Sequence, residues 1–223
     1  MVVLSEGDHV VEENEDGENT LEITCSNISF IGQGKDKTTV HGGFGVSNKK
    51  NVTVKSLTLT IPNRSGLAVE GEEASVEMMD VSVKGCAGCG LYVGRGASVK
   101  ATQCEFCANG RNGVFMRRGS KGIFTDCSIH HNGTDSEDGV WAEEEGTLVE
   151  LRGEQTEIHH NGGDGLVADS NATINIYIPS RSITALVHDN EGEEDLATSY
   201  GGKIKSQLSS SSLELTVIHP VAQ

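Results

Sequence analysis

A short motif recurs five times along this chain: Gly, then Leu or Val, then a variable residue, then a small or apolar one. The copies are Gly66-Leu67-Ala68-Val69, Gly90-Leu91-Tyr92-Val93, Gly113-Val114-Phe115-Met116, Gly139-Val140-Trp141-Ala142 and Gly165-Leu166-Val167-Ala168, and the intervals between their glycines are 24, 23, 26 and 26 residues. A fixed period of this length is the mark of a repeat architecture, so it outranks local propensity in deciding the fold. Between copies runs a second apolar alternation: Leu57-x-Leu59, Val81-x-Val83, Cys104-x-Phe106, Cys127-x-Ile129, Thr156-x-Ile158 and Ala185-x-Val187. A third, weaker one appears as Ala74-Ser-Val76 and Ala97-Ser-Val99. Alternation at i, i+2 is the strand period, with one face buried and the other wet.

Three short strands in each repeat, joined by turns too short for a helix, exclude βαβ units. Parallel pairing without a long crossover is possible only if the chain itself coils, so that equivalent strands of successive turns lie side by side. The expected fold is all-β: a right-handed parallel β-helix, a solenoid of about seven or eight rungs with three short strands per rung. Its hand follows the right-handed rule for parallel crossovers. Ahead of the motif glycines stands a column of Asn109, Asn132, Asn161 and Asn190, with Cys86 in the equivalent place one rung earlier. Stacked amides at turns read as a structural ladder rather than as catalytic groups. The expected organisation is one domain: residues 1–24 as an N-terminal strand or cap, 25–190 as the rungs, and 191–223 as an irregular last rung or cap with a strand at Leu213-x-Leu215-x-Val217.

The stretch Asn27-Ile-Ser-Phe-Ile31-Gly-Gln-Gly34-Lys-Asp-Lys-Thr38-Thr-Val-His-Gly42, with the Asn-Gly…Gly-Val/Leu rungs that follow, resembles the pectate-lyase-like β-helix proteins over residues 20–190. The resemblance implies the right-handed β-helix and a superfamily that holds both polysaccharide-active enzymes and non-enzymatic members. The signatures of its enzymes do not carry over: Gly-Tyr-Gln-Asp-Thr, Asn-Thr-Asp, Asp-Pro-His and Arg-x-Pro-x-x-Arg are all absent from this sequence. Fold alone does not license function.

Charge narrows the partners. Lys+Arg 17 against Asp+Glu 33 gives −16, which argues against nucleic acid and against an anionic membrane surface. No apolar run approaches a membrane span, and the residues from Met1 lack the basic and apolar regions of a signal peptide, so a cytoplasmic location is expected, or a secreted one if the chain is trimmed.

The sharpest functional feature is the outward column Ala68, Tyr92, Phe115, Trp141, Val167. The chain has only 9 Phe, Trp and Tyr, and three of them fall on consecutive rungs of this column. Rings about 4.8 Å apart make a strip that stacks on sugar faces or anchors a protein; the alternative is plain cross-strand stabilisation of the sheet. The next outward column holds Glu70, Gly94, Arg117, Glu143 and Asp169. The expected function is therefore a non-catalytic binding module for a polysaccharide or protein partner, with Tyr92, Phe115, Trp141, Arg117, Glu143 and Asp169 as ligand-binding residues. The first alternative is a polysaccharide lyase, hydrolase or epimerase that uses Glu143 and Asp169, about 5 Å apart by rung spacing, with Arg117 steadying a uronate. The second is a structural subunit that packs through the strip.

No metal or other cofactor is expected. Cys86-x-x-Cys89 and Cys104-x-x-Cys107 imitate a zinc spacing, but the repeat register scatters the four thiols, which read as reduced and structural. His130, His159 and His188 align in another outward column beside the Asn ladder; stacked surface histidines are the plain reading, with a shared metal or a pH-sensitive repulsion as the alternative. The nearby loop Thr134-Asp-Ser-Glu-Asp138 carries further oxygen donors, and the acidic patch Glu191–Asp195 reads as solvated.

Overall fold

The structure is a computed structural model that describes residues 1–14, 17–134, 136–178 and 180–206. It is a β-solenoid in which the described strands pair in parallel, with one isolated antiparallel bridge between Gly42 and Thr60 among the described residues. One face is an eight-stranded sheet formed by Thr20–Glu22, Gly43–Ser47, Leu67–Glu70, Leu91–Gly94, Val114–Arg117, Val140–Glu143, Leu166–Ala168 and Leu196–Thr198, ordered along the axis as along the chain. Seven turns of chain thus separate the first strand of the sheet from the eighth. The other two faces merge into a second sheet, because Val52–Thr60 and Ser75–Lys84 each run continuously across both. Beyond them the faces separate, as with Ser98–Thr102 and Glu105–Cys107.

The inward residues stack into continuous apolar columns. Leu67, Leu91, Val114, Val140 and Leu166 form one, and Val83, Phe106, Ile129, Ile158 and Val187 another, all with no solvent exposure. The alternation pins this register, since a slip of one residue would turn an entire column outward. The corners of each rung are made by single residues in the left-handed region. Ser56, Asp80, Gln103 and Asp126 (φ 52–53°) turn one corner; Ala108, His131, His160 and Asp189 (φ 53–55°) turn the next. Such a residue bends the chain from one face to the next in one step, so neither of these corners needs a loop.

The motif glycines and the Asn column are one device. A methyl group on Gly90, Gly113, Gly139 or Gly165 would lie 2.7 Å from the side-chain amide nitrogen of Asn109, Asn132, Asn161 or Asn190, and under 3 Å from the next rung's backbone. Each Asn Oδ1 accepts the backbone N–H of the equivalent residue one rung earlier, Cys86 for Asn109 and Asn109 (at 3.2 Å) for Asn132, and Asn132 donates its own Nδ2 to Asn161 Oδ1 at 3.0 Å and to the Phe106 carbonyl at 2.9 Å. Asn109, Asn132 and Asn161 are at most 1% exposed, so these bonds have no water to replace them.

Residues of the 1–24 segment pair as a full rung, Val2–Val3, Gly7–Val10 and Thr20–Glu22 lying parallel to the strands that follow. At the other end Leu196–Thr198 and Lys203–Ser206 continue the two sheets, while the strand expected at Leu213–Val217 lies outside the described residues. One local expectation is corrected. The alternation Ala185-x-Val187 is not all strand: Ile183–Leu186 is a helical turn capped by the Ser182 hydroxyl, which accepts from Ala185 N at 3.2 Å, and only Val187–His188 pairs. Ser182 ahead of Ile-Thr-Ala-Leu offers a cap, and the local bond wins over the ladder.

The 134–138 loop buries a carboxyl. Burial pushes Asp138 up to about 7 from 3.8, aided by Asp164 and Glu137 and opposed by the Asp164 N–H that it accepts at 2.8 Å. A carboxyl raised in the folded state contributes stability in its protonated form, present below its unfolded value and lost as pH rises through about 7. Wild-type stability should therefore fall between about pH 4 and pH 7. Asp138→Asn, which keeps the acceptor for Asp164 N, should flatten that slope in denaturant titrations. An unchanged slope would remove Asp138 as its origin.

Candidate functional site

On the eight-stranded face the outward column reads Glu22, Gly45, Ala68, Tyr92, Phe115, Trp141, Val167, Ala197 in successive rungs. Side-chain size steps up abruptly between Ala68 and Tyr92. The three rings then stack: Tyr92 meets Phe115 edge-on with centroids 5.7 Å apart, and Phe115 lies nearly parallel to Trp141 at 5.2 Å. Gly94 leaves room for the Tyr92 ring, since a Cβ there would lie 3.0 Å from the phenol oxygen. The phenol hydroxyl donates to Glu70 Oε1 at 3.4 Å.

Where the column is small, a groove of about 550 Å³ opens. Gly45, against which the Glu22 carboxylate lies, and Ala68 are its floor, Tyr92 and Phe115 one wall, and the turns that enter the sheet, carrying Arg64 and Arg111, the other. Arg117 reaches in beside Phe115, its guanidinium carbon 5.6 Å from the ring centroid. Arginine is concentrated here: Arg64, Arg95, Arg111, Arg117 and Arg118 belong to this sheet and its turns, and only Arg152 and Arg181 lie elsewhere in the chain. Arg64 is paired with Glu18, and Arg117 with Glu144 at 2.7 Å and Glu143 at 3.5 Å. Glu144, and then Glu143, hold the Arg117 guanidinium above its ordinary pKa against the pull of burial. Arg111 is exposed and has no ion pair among the described residues.

Three of the residues expected from the sequence, Tyr92, Phe115 and Arg117, line the groove. Trp141 stacks behind Phe115 instead, with its indole N–H buried and unpartnered. Glu143 sits under Arg117 as its counter-ion. Asp169 lies just past the end of its strand, accepting from the Ser170 hydroxyl at 3.0 Å and the Ser199 hydroxyl at 2.5 Å. The two carboxylates proposed as an acid–base pair are thus each held by a separate set of partners. Arg64 and Arg111 were missed in the sequence because they precede the repeated strand and point back over its face only once the turns are folded.

A second polar cluster lies on another corner of the rung. The rings of His130, His159 and His188 stack at 5.0 and 5.3 Å, tilted by only 4–5°. Beside them a second column, His131 over His160 at 5.1 Å, occupies the left-handed corner. Burial pushes His159 down to about 4, and His130, His160 and His188 add to the shift. Burial raises the Glu105 carboxyl, but hydrogen bonds from Ser82 and His130 outweigh it and hold the group below its ordinary range. Cys86, Cys89 and Cys107 are pushed up to about 11, chiefly by burial, and the four thiols of the zinc-like spacing do not converge among the described residues. No described helix is long and apolar enough to cross a membrane.

No curated protein matches the sequence. Among solved structures the A-module of a mannuronan C-5 epimerase, AlgE4 of Azotobacter vinelandii, is similar at 14% identity and a TM-score of 0.47, covering 92% of this chain and 79% of that one. The model of the family described as "Right handed beta helix region" matches residues 42–184, the span that holds the motif glycines, most of the Asn ladder and the aromatic stack. The chain belongs to the right-handed β-helix family.

Proposed function

We propose that this chain is a non-catalytic binding module whose groove takes a carboxylate-bearing polysaccharide. The observation that carries the reading is the pairing, in one groove, of an aromatic wall with guanidinium groups on a chain of net charge −16. Tyr92 and Phe115 offer π-faces to the apolar faces of sugar rings. Arg111 on one side and Arg117 on the other supply the planar, forked donors that match a carboxylate. An acidic protein repels polyanions over most of its surface, so clustered arginines define where such a chain can lie. Glu143 and Glu144 hold Arg117 in place, and the partners of Glu143 and Asp169 favour binding over an acid–base pair.

The test is a calorimetric titration with uronate oligosaccharides and with their carboxyl-reduced counterparts. The charged series should bind and weaken with added salt, and the reduced series should bind poorly. Arg111→Ala should cost about tenfold in affinity, the scale of one charge-assisted hydrogen bond. Equal affinity for the two series would overturn the reading.

A further inference from the structure

Three successive rungs each bring two metal-donor atoms together at the same corner, a pair of imidazole nitrogens in the first two and an imidazole with a carboxylate in the third. His130 Nδ1 lies 2.8 Å from His131 Nδ1, His159 Nδ1 lies 2.8 Å from His160 Nδ1, and His188 Nδ1 lies 2.8 Å from Asp189 Oδ2. In each pair the first residue ends a strand and the second holds the left-handed corner (φ 54, 53 and 55°), so the solenoid itself aims the two side chains at one another. The series starts where the corner first gains a donor. One rung earlier the same two positions are Cys107 and Ala108.

We propose that this corner is a binding site for a late first-row transition-metal dication, Cu²⁺ or Ni²⁺ ahead of Zn²⁺, chelated through the paired Nδ1 atoms of His130–His131 or His159–His160. Imidazole suits these ions, which rank highest in the general affinity order. The bite decides among geometries. With metal–nitrogen distances of about 2.1 Å, nitrogens 2.8 Å apart subtend about 84° at the ion. That is a cis edge of a square or octahedral sphere. A tetrahedral ion such as Zn²⁺ would need the pair to open to about 3.4 Å.

Glu105 supplies the outer support. Its Oε1 lies 3.3 Å from His130 Nε2, so a proton on Nε2 would be held by the carboxylate and the Nδ1 lone pair would be left for an ion. With that tautomer the 2.8 Å contact is completed by a proton on His131 Nδ1, which an ion would replace. On metal binding the His131 ring stays neutral, its proton passing through water from Nδ1 to Nε2. Glu105 also accepts from the Ser82 hydroxyl at 2.8 Å, which fixes the carboxylate.

The stack limits the stoichiometry. Rings one rung apart stack nearly parallel, tilted by 4° with centroids 5.0–5.1 Å apart, and an ion binds imidazole in the plane of the ring, so stacked rings would not share an ion and each rung would hold its own. Two dications that close repel each other, so the first binds more tightly than the second. This site is on a different corner from the aromatic groove and does not depend on the proposed glycan binding.

The test is a calorimetric titration of tag-free chain with Cu²⁺ and Ni²⁺ at neutral pH, in a Cys25→Ser background because that thiol is exposed. One ion should bind tightly per chain, with a weaker second. His131→Asn/His160→Asn keeps a residue that tolerates the left-handed corner and removes both chelating pairs; it should abolish the tight site while the circular dichroism spectrum stays unchanged. Glu105→Gln should weaken the site about tenfold. Cys107→Ser should leave it intact. Full binding by the double His variant, or no binding by the parent, overturns the proposal. So does loss in Cys107→Ser alone, which would assign the ion to the Glu105–Cys107–His130 cluster, whose donors lie within 4.8 Å of one another.

Discussion

Asn132→Ala is expected to destabilise the solenoid by about 2–6 kcal/mol, a large share of the total stability of a single domain. The side chain accepts from the backbone N–H and the amide of Asn109 and donates to the Phe106 carbonyl and Asn161. Truncation leaves the Asn109 backbone N–H and the Phe106 carbonyl buried without this partner, each costing about 1–3 kcal/mol, while the Asn109 amide keeps its bond to the Val83 carbonyl. Asn161 Oδ1 keeps only the backbone N–H of residue 132. Urea denaturation with the m-value held in common is the measurement. A loss under about 1 kcal/mol would mean that water replaces the amide, and the ladder would not be what clamps the rungs.

Ala68→Glu is expected to abolish binding of uronate oligosaccharides without disturbing the fold. Ala68 forms the groove floor between Gly45 and Tyr92, half-exposed on the outward side of its strand. A glutamate there fills the space and puts a negative charge under Arg111 and Arg117, so sugar stacking and carboxylate pairing are lost together. Loss of affinity should exceed that of Arg111→Ala, which removes one donor and leaves the shape intact. Melting temperature measured alongside separates a blocked groove from an unfolded chain.

The architecture was largely legible in the residues because a solenoid writes each buried column at a fixed period. The Gly-Leu/Val motif marks one strand per rung, and its alternation sorts inward Leu91 from outward Tyr92 without further information. The reason for the glycine was not legible. It lies in the contact between Gly113 and the Asn132 amide one rung on, a distance that depends on how rungs stack. The helical turn Ile183–Leu186 escaped for the opposite reason, a local cap overriding a periodic pattern. At the candidate site, the size step from Ala68 to Tyr92 is plain in the sequence, but Arg64 and Arg111 reach the groove only through the path of irregular turns. At the histidine corner the first column was readable from the strand period. The second was not, because His131 and His160 lie past the strand ends, where alternation stops and the left-handed corner decides direction.

The most direct test of the proposed groove is a single calorimetric comparison: wild type and Ala68→Glu, each titrated with the same uronate oligosaccharide and with its carboxyl-reduced form. Binding of the charged oligosaccharide by wild type alone, with both proteins equally stable, is the result the groove predicts. Equal binding by both proteins, or no binding by either, would contradict it and move the function away from the Tyr92–Phe115 wall.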